Sequence, residues 1–151
     1  MARREQMKIL IVDDDEAIRK SITTVLEEKG YFVGSAENGR AAIKRSEKEV
    51  YNLALIDIRL PDMDGLQLLT ELKETTPKMV KIIITGYPSL QNAVEAVNKG
   101  ADGYIVKPVK ISELLTMIRE HLKKQQEAGK YTEQKVVDFI EARAKELESR
   151  K

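Results

Sequence analysis

Short apolar runs rich in β-branched residues alternate along this chain with longer segments whose apolar residues recur every three or four positions. The short runs have the length of strands, and the longer ones have the period of amphipathic helices. Such alternation predicts βα units that assemble into a parallel sheet. Three of the runs are almost wholly apolar, which indicates strands covered by helices on both faces. The predicted strands are Lys8–Val12, Phe32–Ala36, Leu53–Ile56, Lys81–Thr85 and Gly103–Val106.

Five helical segments follow the predicted strands. Gly30 and Gly100 are predicted to end the first and the fourth helix, and Asp64 is a predicted N-cap of the third, which ends before Pro77. Five βα repeats in about 120 residues predict an α/β fold with a doubly wound sheet. The apolar positions place these helices at Ile18–Leu26, Gly39–Lys48, Leu66–Leu72, Leu90–Lys99 and Leu114–Leu122.

The composition changes after Lys124, where the chain becomes polar and contains a glycine. We therefore predict a linker over residues 125–131. Thr132 would then cap an extra amphipathic helix over residues 132–151, in which both charge signs are mixed along a narrow apolar stripe. The stripe consists of Val136, Ile140, Ala144 and Leu147.

Composition narrows the classes of protein that fit this pattern. Hydrophobic residues make up 42% and charged residues 34%, and the net charge of +1 gives no overall attraction to nucleic acid or to an acidic membrane surface. Cysteine is absent, which excludes disulfides and thiolate metal sites and fits a reducing compartment. The apolar runs are too short to span a bilayer, and residues 1–6 lack the apolar core of a signal peptide, so we expect a flexible lead-in. We therefore expect a cytoplasmic protein with no direct nucleic-acid or membrane partner.

Polar side chains collect at the carboxyl ends of the predicted strands, where open α/β sheets bind their ligands. Asp13 and Asp14 follow the first strand, Asp57 follows the third, Thr85 ends the fourth, and Lys107 follows the fifth. Three carboxylates that converge raise one another's pKa, and a hard divalent cation removes this conflict. Ligation by oxygen alone suits Mg²⁺, with Mn²⁺ as a substitute. A carboxylate beside a metal, an ammonium and a hydroxyl is equipped to attack phosphorus.

Four segments of the chain resemble the receiver domain of two-component response regulators in order, spacing and strand placement. The resemblance covers roughly residues 7–124 and implies a flavodoxin-like, five-stranded parallel sheet with strand order 2-1-3-4-5. The segments are Val12-Asp13-Asp14-Asp15, the run from Leu55 to Gly65, Ile84-Thr85-Gly86 and Tyr104-Ile105-Val106-Lys107-Pro108.

The resemblance also implies a phosphorylation site. Asp57 would accept a phosphoryl group from a phosphohistidine of a sensor histidine kinase, forming an acyl phosphate. Asp14 would bind Mg²⁺ directly, Asp13 would assist through water, and the backbone carbonyl of Arg59 would be a further ligand beside Asp57.

Other residues in the matching segments are expected to bind the phosphoryl group and to change conformation when it is present. Lys107 would pair with one phosphoryl oxygen and Thr85 would donate a hydrogen bond to another. Tyr104 would turn inward when Thr85 moves toward the phosphate, which makes these two residues the expected switch. The peptide bond between Lys107 and Pro108 is expected to be cis.

Two large residues depart from the family's common site. Arg59 and Tyr87 lie two residues beyond Asp57 and Thr85, where they would flank the path of an attacking water. We expect them to shield the acyl phosphate and slow autodephosphorylation. An Asp-nucleophile phosphatase would instead need an acidic residue at position 59 and a cap insertion, so we expect no turnover of external substrates.

The expected output surface consists of the fourth helix, the fifth strand and the fifth helix, and it would dock a downstream protein or a second copy. The segment after Lys124 is too short for a DNA-binding or enzymatic effector. This favours a stand-alone regulator, and the alternative is a receiver fragment of a longer regulator whose effector is absent. Three surfaces remain open as the binding partner of the apolar stripe in residues 132–151: its own domain, another copy of the chain or a different protein.

Overall fold

The computed structural model describes residues 6–149, apart from the side chains of residues 131 and 132. Most of the predicted lead-in therefore lies outside the described residues, as do the last two positions of the predicted final segment. Ten elements alternate strictly between strand and helix. They are β1 (Lys8–Val12), α1 (Glu16–Glu28), β2 (Phe32–Ala36), α2 (Gly39–Lys48), β3 (Leu53–Asp57), α3 (Gly65–Glu71), β4 (Val80–Thr85), α4 (Leu90–Asn98), β5 (Gly103–Val106) and α5 (Ile111–Ser149).

The five strands form one parallel sheet with the order β2-β1-β3-β4-β5, which confirms the predicted flavodoxin-like topology. The predicted strand bounds differ from the observed ones by one residue at most, because β3 extends to Asp57 and β4 begins at Val80. The chain reverses its direction of winding between β1 and β3. A crevice therefore opens at the carboxyl ends of these two strands.

The sheet separates two apolar cores. Leu10, Val12 and Ile56 point to the face covered by α2, α3 and α4. Ile9 and Leu55 point to the opposite face, where α1 and α5 pack. All five side chains are at most 1% exposed, as the continuous apolar runs predicted. The central strands are rigidly held from both sides, so the residues that follow them have well-defined positions.

The ends of the helices follow the predicted capping residues. The Asp64 side chain accepts a 2.8 Å hydrogen bond from the Leu66 N–H at the start of α3. Gly30 and Gly100 follow α1 and α4 with φ angles of 91° and 96°, in the left-handed region that favours glycine. α3 begins and ends one residue before the predicted Leu66–Leu72, and it stops at Glu71, six residues before Pro77.

The predicted linker at 125–131 and the separate helix capped by Thr132 were wrong, because α5 is one continuous helix of 39 residues. The predicted linker is dominated by Lys, Gln, Glu and Ala, which favour helix. Gly129 lowers the stability of the helix by only about 1 kcal/mol relative to Ala. Gln125 also holds α5 to the amino edge of the sheet. Its side-chain amide donates to the carbonyls of Asn52 at 2.9 Å and Lys78 at 2.8 Å.

Candidate functional site

Three carboxylates meet at the carboxyl edge of the sheet. Asp13 and Asp14 directly follow β1, and Asp57 is the last residue of β3. One oxygen from each side chain lies within 4.8 Å of the others, and Asp13 and Asp57 are buried while Asp14 is exposed. The group offers only oxygen ligands, which is the donor set that Mg²⁺ prefers. These residues therefore fit a hard divalent cation.

Lys107 bridges two of these carboxylates. Its ammonium lies 3.1 Å from Oδ2 of Asp13 and 3.1 Å from Oδ2 of Asp57. Burial by itself lowers the pKa of Lys107, but the hydrogen bonds and negative charges of the two aspartates outweigh burial and raise it. The Lys107 N–H donates to the Thr85 carbonyl at 2.8 Å, and the peptide bond to Pro108 is cis. The lysine is therefore a fixed cation beside Asp57.

Hydrogen bonds from α1 and its cap hold Asp13 in place. Oδ1 of Asp13 accepts from the Asp15 N–H at 2.9 Å, and the Asp13 carbonyl accepts from the Arg19 guanidinium at 2.7 Å. Arg19 was missed by the sequence analysis. In the sequence it is an ordinary basic residue of an exposed helix face, and nothing local indicates its contact with the site.

A close approach of two backbone segments shapes the loop after Asp57. Gly65, the first residue of α3, donates its N–H to the Ile58 carbonyl at 2.7 Å. A side chain at Gly65 would overlap the carbonyl oxygen of Asp57 and the Cα of Ile58. Oδ1 of Asp57 accepts from the Arg59 N–H at 3.2 Å. The loop thus depends on Gly65, whose role sequence analysis did not find.

The same loop is joined to α2 through Asp62. Its two carboxylate oxygens accept hydrogen bonds from the N–H groups of Gly39 at 2.8 Å and Arg40 at 2.9 Å. These backbone hydrogen bonds, that of Arg40 first, lower the pKa of Asp62. Asp62 therefore stays ionised and complements the positive end of the α2 dipole.

Arg59 and Tyr87 stack on each other at the mouth of the crevice. The guanidinium carbon lies 3.4 Å from the centroid of the Tyr87 ring. The Tyr87 N–H donates to Oγ1 of Thr85 at 2.9 Å, and Thr85 itself is only 1% exposed. Both stacked residues line an open depression of about 470 Å³ together with Asp14, Asp57, Gly86 and Lys107. The two residues predicted to flank the path of water therefore contact each other.

Tyr104 lies on β5 and packs against the core beneath α4. Its ring is half-buried, and its hydroxyl is buried without a hydrogen-bond partner among the described residues. Ile83 of β4 is its register partner, two residues before Thr85. The structure therefore places both predicted switch residues on adjacent strands.

Comparisons with known proteins point to one family. The model of the response regulator receiver domain matches residues 9–119. The transcriptional regulatory protein ZraR of Klebsiella oxytoca is 38% identical over 118 residues, which are 78% of this chain and 27% of ZraR, so the chain spans about a quarter of that relative. No helix among residues 6–149 is long and apolar enough to cross a membrane.

Solved structures show the same fold. A CheY-like receiver domain protein from Methanospirillum hungatei gives a TM-score of 0.79 at 46% identity, covering 82% of this chain and 99% of that one. A response regulator from Burkholderia pseudomallei was solved with a phosphorylated aspartic acid, a calcium ion and citrate. It gives a TM-score of 0.71 at 30% identity, covering 82% of this chain and 73% of that one. The chain belongs to the response regulator receiver domain family.

Proposed function

We propose that Asp57 accepts a phosphoryl group from a phosphohistidine of a sensor histidine kinase. The observation that supports this most is the position of the Asp57 carboxylate. It contacts the ammonium of Lys107 at 3.1 Å and lies within 4.8 Å of the Asp13 and Asp14 carboxylates. Of these three acids, Asp57 alone both contacts the Lys107 ammonium and lines the open depression through which a phosphoryl group would enter.

In the proposed reaction an oxygen of Asp57 attacks phosphorus, the phosphorus–nitrogen bond to the kinase histidine breaks, and an acyl phosphate forms. Lys107 offers its positive charge to the phosphoryl oxygens. The Thr85 oxygen already accepts from the Tyr87 N–H, which leaves its hydroxyl hydrogen free to donate. Asp13, Asp14, Asp57 and the backbone carbonyl of Arg59 would hold Mg²⁺, or Mn²⁺ in its place. The bound cation supplies positive charge that offsets the converging carboxylates.

The Arg59–Tyr87 stack is proposed to slow hydrolysis of the acyl phosphate. A cation–π contact at an exposed position is worth about 0.5–1 kcal/mol, so a lid that must open against it opens about two- to fivefold less often. Arg59→Asn and Tyr87→Ala should each shorten the lifetime of the phosphorylated protein by about that factor. A lifetime that is already only seconds and unchanged in both variants would contradict the shielding.

The proposed output is a change in the surface formed by α4, β5 and α5, transmitted by Thr85 and Tyr104. This surface would bind a downstream protein or a second copy of the chain. Large apolar side chains are exposed on α4 and at the end of β5: Leu90, Val94, Val97 and Val106. Since ZraR extends far beyond the matched region, an effector elsewhere in a longer regulator is the alternative output.

Incubation with acetyl phosphate and Mg²⁺, followed by intact-mass measurement, tests the site. We expect a gain of one phosphoryl group that Asp57→Asn abolishes and that a chelator prevents. Asp62→Asn is the matched control, because it removes an exposed carboxylate from the same loop and should still be labelled. Labelling that persists in Asp57→Asn, or its absence from the wild-type chain with both acetyl phosphate and a phosphorylated kinase, would overturn the proposal.

A further inference from the structure

The half of α5 beyond Gln125 leaves its apolar stripe uncovered. Val136, Ile140 and Leu147 are 53%, 60% and 51% exposed, and Phe139 beside them is 73% exposed. Contiguous apolar surface of this kind marks an interaction site. Because α5 is continuous from Ile111 to Ser149, the stripe cannot fold back onto its own domain. Any partner that covers the stripe is therefore another molecule.

The side of α5 on which the stripe lies restricts how a partner can bind. Val136 and Ile140 follow Ile118 and Leu122 by eighteen residues, which is five turns of about 3.6 residues. Ile118 and Leu122 are 0% and 4% exposed because they pack against the sheet. The stripe therefore projects from α5 on the side that carries the sheet. A second α5 lying parallel on this side would collide with the strands, whereas an antiparallel one would not.

Charged residues on the same side of the helix as the stripe favour the same orientation. Six residues alternate at spacings of four and three, as in the core positions of a coiled coil. In an antiparallel pair centred between Val136 and Ile140, Val136 of each copy faces Ile140 of the other. Glu133 of each copy then faces Arg143 of the other. In a parallel pair, Glu133 would face Glu133 and Arg143 would face Arg143. The six residues are Gly129, Glu133, Val136, Ile140, Arg143 and Leu147.

We propose that a second copy of this chain binds antiparallel along the stripe, with the two extensions paired over residues 127–149. The overlap is about 35 Å long at 1.5 Å per residue. So short a helix pair forms a small interface, and we expect a weak, concentration-dependent dimer. The extension leaves the domain at the amino edge of the sheet, opposite Asp57, so this dimer goes beyond the proposed function and does not require phosphorylation.

Sedimentation equilibrium between about 5 µM and 1 mM, a range that suits a small interface, tests the pairing. Glu133→Arg and Arg143→Glu should each weaken dimerisation about tenfold or more, because like charges then face each other twice in the dimer. The double variant should regain wild-type affinity. Glu141→Arg and Lys145→Glu are matched controls off the stripe and should change little, and circular dichroism checks that α5 stays helical in every variant. A monomer at all concentrations, or a dimer that survives both single reversals, would overturn the proposal.

Cross-linking tests the orientation, since the chain contains no cysteine. A mixture of Val136→Cys and Ile140→Cys chains should oxidise mainly to the mixed disulfide, because these two positions face each other across an antiparallel pair. Intact mass distinguishes the mixed product from either symmetric one. Predominance of the symmetric Val136→Cys dimer would indicate parallel helices and refute the inference.

Discussion

Replacing Gly65 by alanine should deform the loop that follows Asp57. A Cβ at this position would meet backbone atoms of Asp57 and Ile58, which have no freedom to rotate away. Gly39 is a matched control, because it also begins a helix but the atoms nearest to its Cβ would belong to the flexible Met63 side chain rather than to backbone. The two substitutions are chemically identical and differ only in what the new methyl group contacts.

The structure sets the size of the expected effect. Overpacking that forces a backbone shift costs about 1–3 kcal/mol, and loss of the Gly65 N–H hydrogen bond to Ile58 adds about 1 kcal/mol. The higher helix propensity of alanine returns at most about 1 kcal/mol. Gly65→Ala should therefore lower the free energy of unfolding by about 2–3 kcal/mol, whereas Gly39→Ala should change it by less than about 1 kcal/mol.

Urea unfolding followed by circular dichroism measures this difference. With a slope of about 2 kcal/mol/M, the midpoint of Gly65→Ala should fall by about 1–1.5 M. Labelling by acetyl phosphate should also slow in Gly65→Ala alone, because the displaced backbone carries the Asp57 carboxylate with it. Equal midpoints and equal labelling rates for Gly65→Ala and Gly39→Ala would refute the reasoning.

Two further predictions concern charge. Burial, and then the charge of Lys78, lower the pKa of Lys81, whose ammonium donates to the Leu69 carbonyl at 2.7 Å. The unfolded chain then binds this proton more tightly, so the free energy of unfolding should rise between neutral pH and about pH 10, near the unfolded lysine pKa. Urea titrations should show a smaller rise in Lys81→Met, and equal rises would contradict the assignment. Mg²⁺ at about ten times its Kd should stabilise the chain by about 1.4 kcal/mol, which raises Tm by a few degrees. Differential scanning calorimetry should show this shift largely lost in Asp14→Asn and not reproduced by NaCl of equal ionic strength.

The sequence was sufficient for the framework of this fold because the three central strands, β1, β3 and β4, are buried on both faces. Short runs rich in β-branched and apolar residues placed all five strands to within a residue, and the rule that ligands bind at the carboxyl ends of strands placed Asp57 and Lys107 at the same edge of the sheet. The strand order came from family resemblance, since periodicity carries no information about which strands are neighbours.

Contacts between segments distant in the chain were not predictable in the same way. Asp62 caps α2 from 23 residues away, and Gly65 is required by a backbone approach that leaves no periodic signal. The false break in α5 had a different cause. A single glycine in a polar segment was given more weight than the helix propensity of the residues around it, and the amide of Gln125 added contacts that no local pattern shows.

The continuous α5 gives this domain a lever arm. The amide of Gln125 binds α5 to the domain where the helix leaves the sheet, so this residue acts as the pivot. A stiff rod of about 36 Å beyond it would carry its tip about 6 Å sideways for a tilt of about 10°, slightly more than one helical pitch. Small rotations of α5 against the sheet would therefore be magnified at its far end.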